Sequence, residues 1–229
     1  MQRFPIMLFA AGFGTRMGAL TADRPKPLIP VAGRALIDHA LDIADAAGAS
    51  PRVANLHYLG DQIERHLAGR DVALSWEREH ILETGGGLRA ALPLLGPGPV
   101  MTLNTDAVWT GQNPLIQLAD AWDGAAMEAL LLLLPAGQVR GHAGSGDFVV
   151  DDAGRLTRAR GAVGAVYLGA QILQTDRLPG VPEHAFSLNR FWDQMIGAGR
   201  AYGLLHQGGW CDVGRPESIA EAEALLNDV

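Results

Sequence analysis

The 229-residue sequence holds a single cysteine, Cys211. No internal disulfide can form, which suits a reducing cytoplasm better than a secreted scaffold. Positive charge is scarce as well: 18 Lys and Arg against 25 Asp and Glu leave a net charge of −7. That balance argues against non-specific nucleic-acid or anionic-membrane binding, which needs a basic face. Long apolar runs are lacking. The longest, residues 125–135, is interrupted by Glu128 and is too short to span a bilayer. The N-terminal apolar stretch is short, follows one Arg and runs straight into glycines, unlike a secretory leader. The expected setting is soluble and cytoplasmic. No Gly-Lys-Ser/Thr triplet occurs, which rules out a Walker A loop, and Met17 stands where a Rossmann fingerprint needs its third glycine. The seven histidines show neither metal-ligand spacing nor a nucleophile partner, and none is assigned a catalytic role.

What is present gathers in the first thirty residues. The apolar run 6–10 has strand length and empties into Ala10, Ala11, Gly12 and Gly14, where small residues leave the backbone N–H groups bare to an anion. Arg16 follows, able to fork onto two phosphate oxygens, and then Lys26, a compact charge between Pro25 and Pro27. The prolines restrict where the Lys26 side chain starts. The physical reading is a polyphosphate site.

Hydrophobic content of 48% with 19% charged is enough for one large core, and a single domain over 1–229 is expected. Helical stripes over 35–47 and 59–67 alternate with strands over 52–56 and 72–76, which predicts an α/β fold with a mostly parallel sheet covered on both faces. Glu83-Thr84-Gly85-Gly86-Gly87 opens a further helix, either as a backbone cradle or as a flexible turn. The strand 100–103 ends in Asn104-Thr105-Asp106, and a carboxylate beyond the C-terminal end of such a strand is placed to meet a ligand, or to cap a turn. Asn113-Pro114 predicts a capped helix start and Met127 to Leu134 a central strand. A glycine-rich stretch, 137–146, expected as a mobile loop at the far end of the cleft, leads to Asp147. A hairpin turn over 151–154 follows, then a strand over 163–173. A closing helix is expected from Pro216, with Ile219, Ala220, Ala222, Ala224 and Leu225 buried.

Leu-x-Ala-Ala-Gly-x-Gly-Thr-Arg-Met over 8–17, with Pro-Lys-Pro-Leu at 25–28, closely resembles the N-terminal signature of sugar-1-phosphate nucleotidyltransferases. The likeness extends along the chain through Glu83 to Gly87, Asp106, Asp147-Phe148, Tyr167-Leu168-Gly169 and Trp210-Cys211-Asp212-Val213-Gly214. Thr105 departs from it, standing where these enzymes have glycine. The resemblance implies a Rossmann-like nucleotide-diphospho-sugar transferase fold. Its nucleotide-binding half would lie mainly in 1–110 and its sugar-binding half mainly in 111–229. It implies nucleotide contacts at Ala10, Ala11, Gly12, Gly14, Thr15, Glu83, Thr84, Gly85 and Asn104, and sugar contacts at Asp147 and Gly169. It also implies catalytic cations at Arg16 and Lys26, and Mg²⁺ held by Asp106 and Asp212. The partners are then a nucleoside triphosphate and a sugar 1-phosphate. Among short members of the family, length and the Glu-Thr-Gly-Gly-Gly segment look most like those that uridylylate N-acetylmuramate 1-phosphate. Members that guanylylate mannose 1-phosphate have similar N-termini and form one alternative; a non-catalytic nucleotide-binding regulatory protein, motivated by the Thr105 departure, is the other.

Overall fold

Alternation along the first strand, β1 (Ile6–Phe9), decides which core each side chain enters. In the computed structural model, which describes residues 3–142 and 144–228, Ile6 and Leu8 join one hydrophobic cluster and Met7 joins the other. After β1 the chain makes two 3₁₀ turns, Thr15–Thr21 and Lys26–Leu28. The hairpin β2 (Pro30–Val31) and β3 (Arg34–Ala35) turns at Ala32 and Gly33, with φ of 49° and 73°. Two successive left-handed residues are what a two-residue hairpin needs to match strand twist.

Helices and strands then alternate as the periodicity predicts. They run α1 (Leu36–Ala46), β4 (Arg52–Leu56), α2 (Gly60–Leu67), β5 (Ala73–Trp76), α3 (Glu83–Leu95) and β6 (Val100–Asn104). A short β7 (Ala107–Trp109) precedes α4 (Pro114–Ala121), whose N-cap Asn113 accepts from the N–H groups of Leu115 and Ile116. The second half contributes β8 (Ala129–Pro135), β9 (Phe148–Val150), β10 (Leu156–Arg158) and β11 (Ala165–Leu173). It closes with α5 (Leu188–Gly197), β12 (Ala201–Leu205), β13 (Trp210–Asp212) and α6 (Ser218–Asn227).

The main sheet has nine strands, ordered β10-β9-β11-β6-β1-β4-β5, with β8 added to β11 and β12 to β8. Only β10 and β11 run against the rest, so seven of the nine point the same way. The expected mostly parallel sheet, apolar on both faces, is therefore present. Its C-terminal strand ends at Phe9, Leu56, Trp76 and Asn104 lie along one edge, where ligands of open α/β sheets bind.

A third cluster holds α6 and the antiparallel ribbon of β7 with β13 against the 3₁₀ turns, and Cys211 lies fully buried within it. Burial, aided by the Glu221 and Asp212 carboxylates, pushes the Cys211 thiol up to about 12. A thiol-specific chromogenic reagent at mild alkaline pH is expected to leave the native protein unlabelled, and to titrate one thiol once denaturant is added. The closing helix starts at Ser218 rather than Pro216, so its buried stripe is Ser218, Ala222 and Leu225; Ala220 and Ala224 face solvent. The stretch 137–146 also departs from expectation. Arg140 donates its N–H to Trp210 O (3.2 Å) and accepts from Asp212 N (3.0 Å), tying the stretch to the Asp212 strand and not to the far end of the cleft. Ala143 lies outside the described residues.

Candidate active site

Two stretches of backbone bring the predicted carboxylates together. In the β7–β13 ribbon Asp212 stands opposite Ala107, and Val213 N donates to Asp106 O at 2.9 Å. The two aspartates thus meet although 106 residues separate them in sequence. Lys26 reaches the same point from the other side. It is buried, and its Nζ lies 2.6 Å from Asp106 Oδ2. Arg16 approaches Asp212 from solvent, Nη1 to Oδ2 3.8 Å, with a side chain 61% exposed. That pair is loose, and with its guanidinium in solvent it adds little to stability. Its freedom leaves the guanidinium available to an incoming anion.

Asp212 is the electrostatically stressed member of the group. Burial raises its carboxyl above the usual range and the charge of Asp106 adds to that, while Lys26, Arg16 and His142 pull the other way. Two carboxylates facing one space, one of them uncomfortable when ionised, form a donor set suited to a cation. Among the described residues no group of three His, Cys, Asp or Glu surrounds it. An all-protein cage is not needed for Mg²⁺, which takes one or two carboxylates and completes its shell with waters and substrate phosphates.

Glycines define how closely these groups approach. A Cβ on Gly14 (φ 64°) would stand 2.9 Å from Lys26 Cβ, and one on Gly214 would stand 2.6 Å from Asp212 Oδ2 and 2.9 Å from Arg16 Nη1. Gly12 has nothing within 4 Å and borders the open cleft. A cavity of about 210 Å³ lies over the strand ends. Ala10, Ala11, Gly12 and Lys26 line it together with Glu83, Thr84, Asn104 and Asp106. Phe9, Thr84 and Asn104 border both this cavity and a second one of about 260 Å³, where Asp147 is found. Asp147 Oδ2 accepts from Tyr167 N (2.9 Å), leaving Oδ1 for other partners.

Thr15, Gly85 and Gly169 are not among the residues lining the two cavities. Thr15 is exposed at the start of the first 3₁₀ turn. Gly85 does not offer its N–H to a cleft: it and Gly86 both donate to Phe186 O, at 2.8 and 3.1 Å. A Cβ on Gly85 would come within 2.3 Å of the Phe186 ring and one on Gly86 within 2.8 Å of His184 O, so these two glycines let the 184–186 segment lie close on α3. Gly169 (φ 85°) packs against Asn104, whose side-chain atoms would lie 2.7–2.8 Å from an added Cβ. Its lack of a side chain seats Asn104, at a bulge in the β11 pairing with β8.

Thr105, the departure from the family pattern, needs no glycine-like backbone. It is absent from the positive-φ positions, and its buried hydroxyl donates to Phe9 O at 2.8 Å, stitching the end of β6 to the end of β1. Glu83, by contrast, does adopt a left-handed conformation (φ 59°) at the first residue of α3, with its side chain on the cavity wall. For a non-glycine residue such a backbone costs about 1 kcal/mol.

Sequence reading missed a buried polar chain beneath the first cavity. Ala10 N donates to Asn55 Oδ1 (2.7 Å), Asn55 Nδ2 to Glu77 Oε1 (2.7 Å), and Leu82 N to Glu77 Oε2 (2.7 Å). It joins the glycine loop to the start of α3 across three strand ends. The available signal was Asn55 inside an otherwise apolar strand, a polar residue that must find a partner when buried.

Residues 6–172 match the MobA-like NTP transferase domain. The chain is 39% identical over 231 residues to N-acetylmuramate alpha-1-phosphate uridylyltransferase of Caulobacter vibrioides, covering 96% of each. It is 34% identical, again over 96% of each, to the protein of the same name from Neisseria meningitidis serogroup B. Among solved structures it is similar to HddC from Yersinia pseudotuberculosis complexed with GMP-PN, with a TM-score of 0.79, 19% identity and coverage of 96% and 98%. That structural likeness is one of fold.

Proposed function

The chain belongs to the MobA-like NTP transferase family, and from that premise we propose that it transfers UMP from UTP to N-acetylmuramate 1-phosphate, releasing pyrophosphate. The observation that carries the reading is the meeting of Lys26, Asp106 and Asp212 at the edge of a cavity that shares lining residues with a second one. Residues 1–110 then serve mainly the nucleotide and residues 111–229 mainly the sugar.

A sugar 1-phosphate is already ionised near neutral pH, so its oxygen can attack the α-phosphorus without a general base. The bond from that phosphorus to the bridging oxygen of the β-phosphate breaks as the new one forms, and pyrophosphate carries away the charge. Such a reaction asks for alignment and charge neutralisation more than for proton transfer. In this reading Lys26 faces the α-phosphate and Arg16 folds onto the departing β- and γ-phosphates. Ala10, Ala11 and Gly12 give the nucleotide a bare wall, while Glu83, Thr84 and Asn104 orient it. Asp147 accepts from a sugar hydroxyl. Mg²⁺ held by Asp106 and Asp212 would supply a Lewis acid at the α-phosphate. No described helix is long and apolar enough to cross a membrane, and the proposed setting is the cytoplasm.

The test is pyrophosphate release with Mg²⁺, crossing UTP, GTP, CTP and dTTP against a panel of sugar 1-phosphates. The expected result is a kcat/KM for UTP with N-acetylmuramate 1-phosphate well above every other pair. A preference for GTP with mannose 1-phosphate would overturn the substrate while keeping the reaction. Nucleotide binding with no pyrophosphate release from any pair would overturn both.

A further inference from the structure

Arg158, at the end of β10, borders the second cavity and is the one cation among the residues described as lining it. No phosphate role has been given to it, and its setting is unlike those of Arg16 and Lys26. Its Nε donates to Asp193 Oδ1 at 2.7 Å and its Nη2 to Asn189 O at 3.0 Å, both from α5. The guanidinium carbon stands 4.8 Å from the centre of the Phe148 ring and 5.7 Å from that of Trp192. Trp192 is itself fixed, donating from Nε1 to Gln171 Oε1 at 2.8 Å, and Gln171 Nε2 donates on to Thr102 at 3.1 Å.

The plane of the guanidinium is therefore set by two aromatic faces and two hydrogen bonds before any ligand arrives. Its side chain is only 23% exposed. Among the described residues Nη1 has no hydrogen-bond partner, so both of its donors remain. A preorganised Arg with donors to spare, at the edge of a mostly neutral cavity, is suited to a planar anion such as a carboxylate. Asp193, its ion-pair partner, is 61% exposed and solvated, which weakens its claim on the charge. Asp147, in the same cavity, spends one oxygen on Tyr167 N and serves hydroxyls on the sugar, which need an acceptor, not a donor.

From this geometry we propose that Arg158 is a specificity residue, which selects sugar 1-phosphates whose ring carries a carboxylate-bearing substituent over those that lack it. The inference rests on the transfer reading above and sharpens its sugar half. N-acetylmuramate 1-phosphate and N-acetylglucosamine 1-phosphate differ by one lactyl ether, so comparing them isolates the carboxylate arm and its charge.

The experiment measures kcat/KM for both sugars, with UTP and Mg²⁺, in the wild-type protein and in Arg158→Gln, Arg158→Lys and Asp193→Asn. The wild-type ratio is expected to favour the carboxylated sugar. Arg158→Gln should lower that ratio at least tenfold, mainly through KM for the carboxylated sugar, and Arg158→Lys should restore part of it. Since Arg158 also ties β10 to α5, a purely structural role predicts equal losses with both sugars and a matching defect in Asp193→Asn. Asp193→Asn weakens the same tie by removing the partner charge but keeps the guanidinium, and should retain the selectivity. Turnover of both sugars with no preference, or an unchanged ratio in Arg158→Gln, would overturn the inference and leave the transfer reading standing. No turnover with either sugar by the wild-type protein would overturn the two together.

Discussion

Asp106→Ala and Asp212→Ala each lower kcat/KM for pyrophosphate release by about 10³-fold or more, in proteins that remain folded. The expectation follows from how little else the cleft offers. Arg16 and Lys26 can neutralise part of the charge that gathers on the phosphates, but Lys26 is held 2.6 Å from Asp106 and Arg16 is largely solvated. Removing either carboxylate halves the donor set for a divalent cation, and Asp106→Ala also frees Lys26 from the partner that positions it. Circular dichroism and thermal unfolding check the fold, and turnover checks the chemistry. Retention of wild-type rates by both variants would dismiss the metal-assisted reading. Asp212 adds a second readout. Its carboxyl is raised by burial and by Asp106, so the folded protein favours the protonated form more than the unfolded chain does. The stability it contributes is present at low pH and is lost as pH rises through its folded pKa. At neutral pH the ionised group is a strain on the cation-free protein. Asp212→Asn is accordingly expected to raise the midpoint of thermal unfolding by a few degrees in chelator while abolishing turnover, a trade of stability for function common at active sites. A lowered midpoint would mean that the Arg16 and Lys26 charges outweigh burial there.

Much of this architecture was legible because it rests on local chemistry. Strand 52–56 and the Asn113-Pro114 helix start are set by alternation and by one cap, which neighbours in sequence suffice to specify. The placement of Asp106 beyond a strand end followed in the same way. The glycines at 85 and 169 were a different matter. A glycine reads identically whether it bares its N–H to a phosphate or yields room to a side chain, and here the room is taken by Phe186 and Asn104, roughly 100 and 65 residues away in sequence. Likewise the stretch 137–146 looked like a free loop because nothing nearby in sequence shows that its backbone pairs with Trp210 and Asp212. Glu77 was overlooked for the related reason that a carboxylate after a strand is usually solvated.

Glu77 is also where the largest loss of stability is expected. It is 2% exposed and no salt bridge joins it to a cation among the described residues, yet each of its oxygens accepts one hydrogen bond, from Asn55 Nδ2 and from Leu82 N. Hydrogen bonds to a charged group contribute about 1.5–3 kcal/mol each, and a buried donor left unpaired costs about as much again as a neutral bond. Glu77→Ala strands both donors and opens a void beneath the cavity, and the midpoint of thermal unfolding is expected to fall by about 10 °C, at roughly 2–4 °C per kcal/mol for a chain of this length. Glu77→Gln is the sharper test. The amide keeps the shape and one acceptor, but sets an NH₂ group against either Asn55 Nδ2 or Leu82 N, so one donor must face another. Its midpoint should lie between those of wild type and Glu77→Ala. Function should suffer separately from stability. Asn55 holds the N–H of Ala10, and Leu82 precedes Glu83, so the same carboxylate fixes two stretches that line the first cavity. Well below the unfolding midpoint, Glu77→Gln is expected to raise KM for the nucleotide severalfold with a smaller change in KM for the sugar. Equal effects on both, or a KM that does not move, would show that the polar chain under the cleft serves the fold alone.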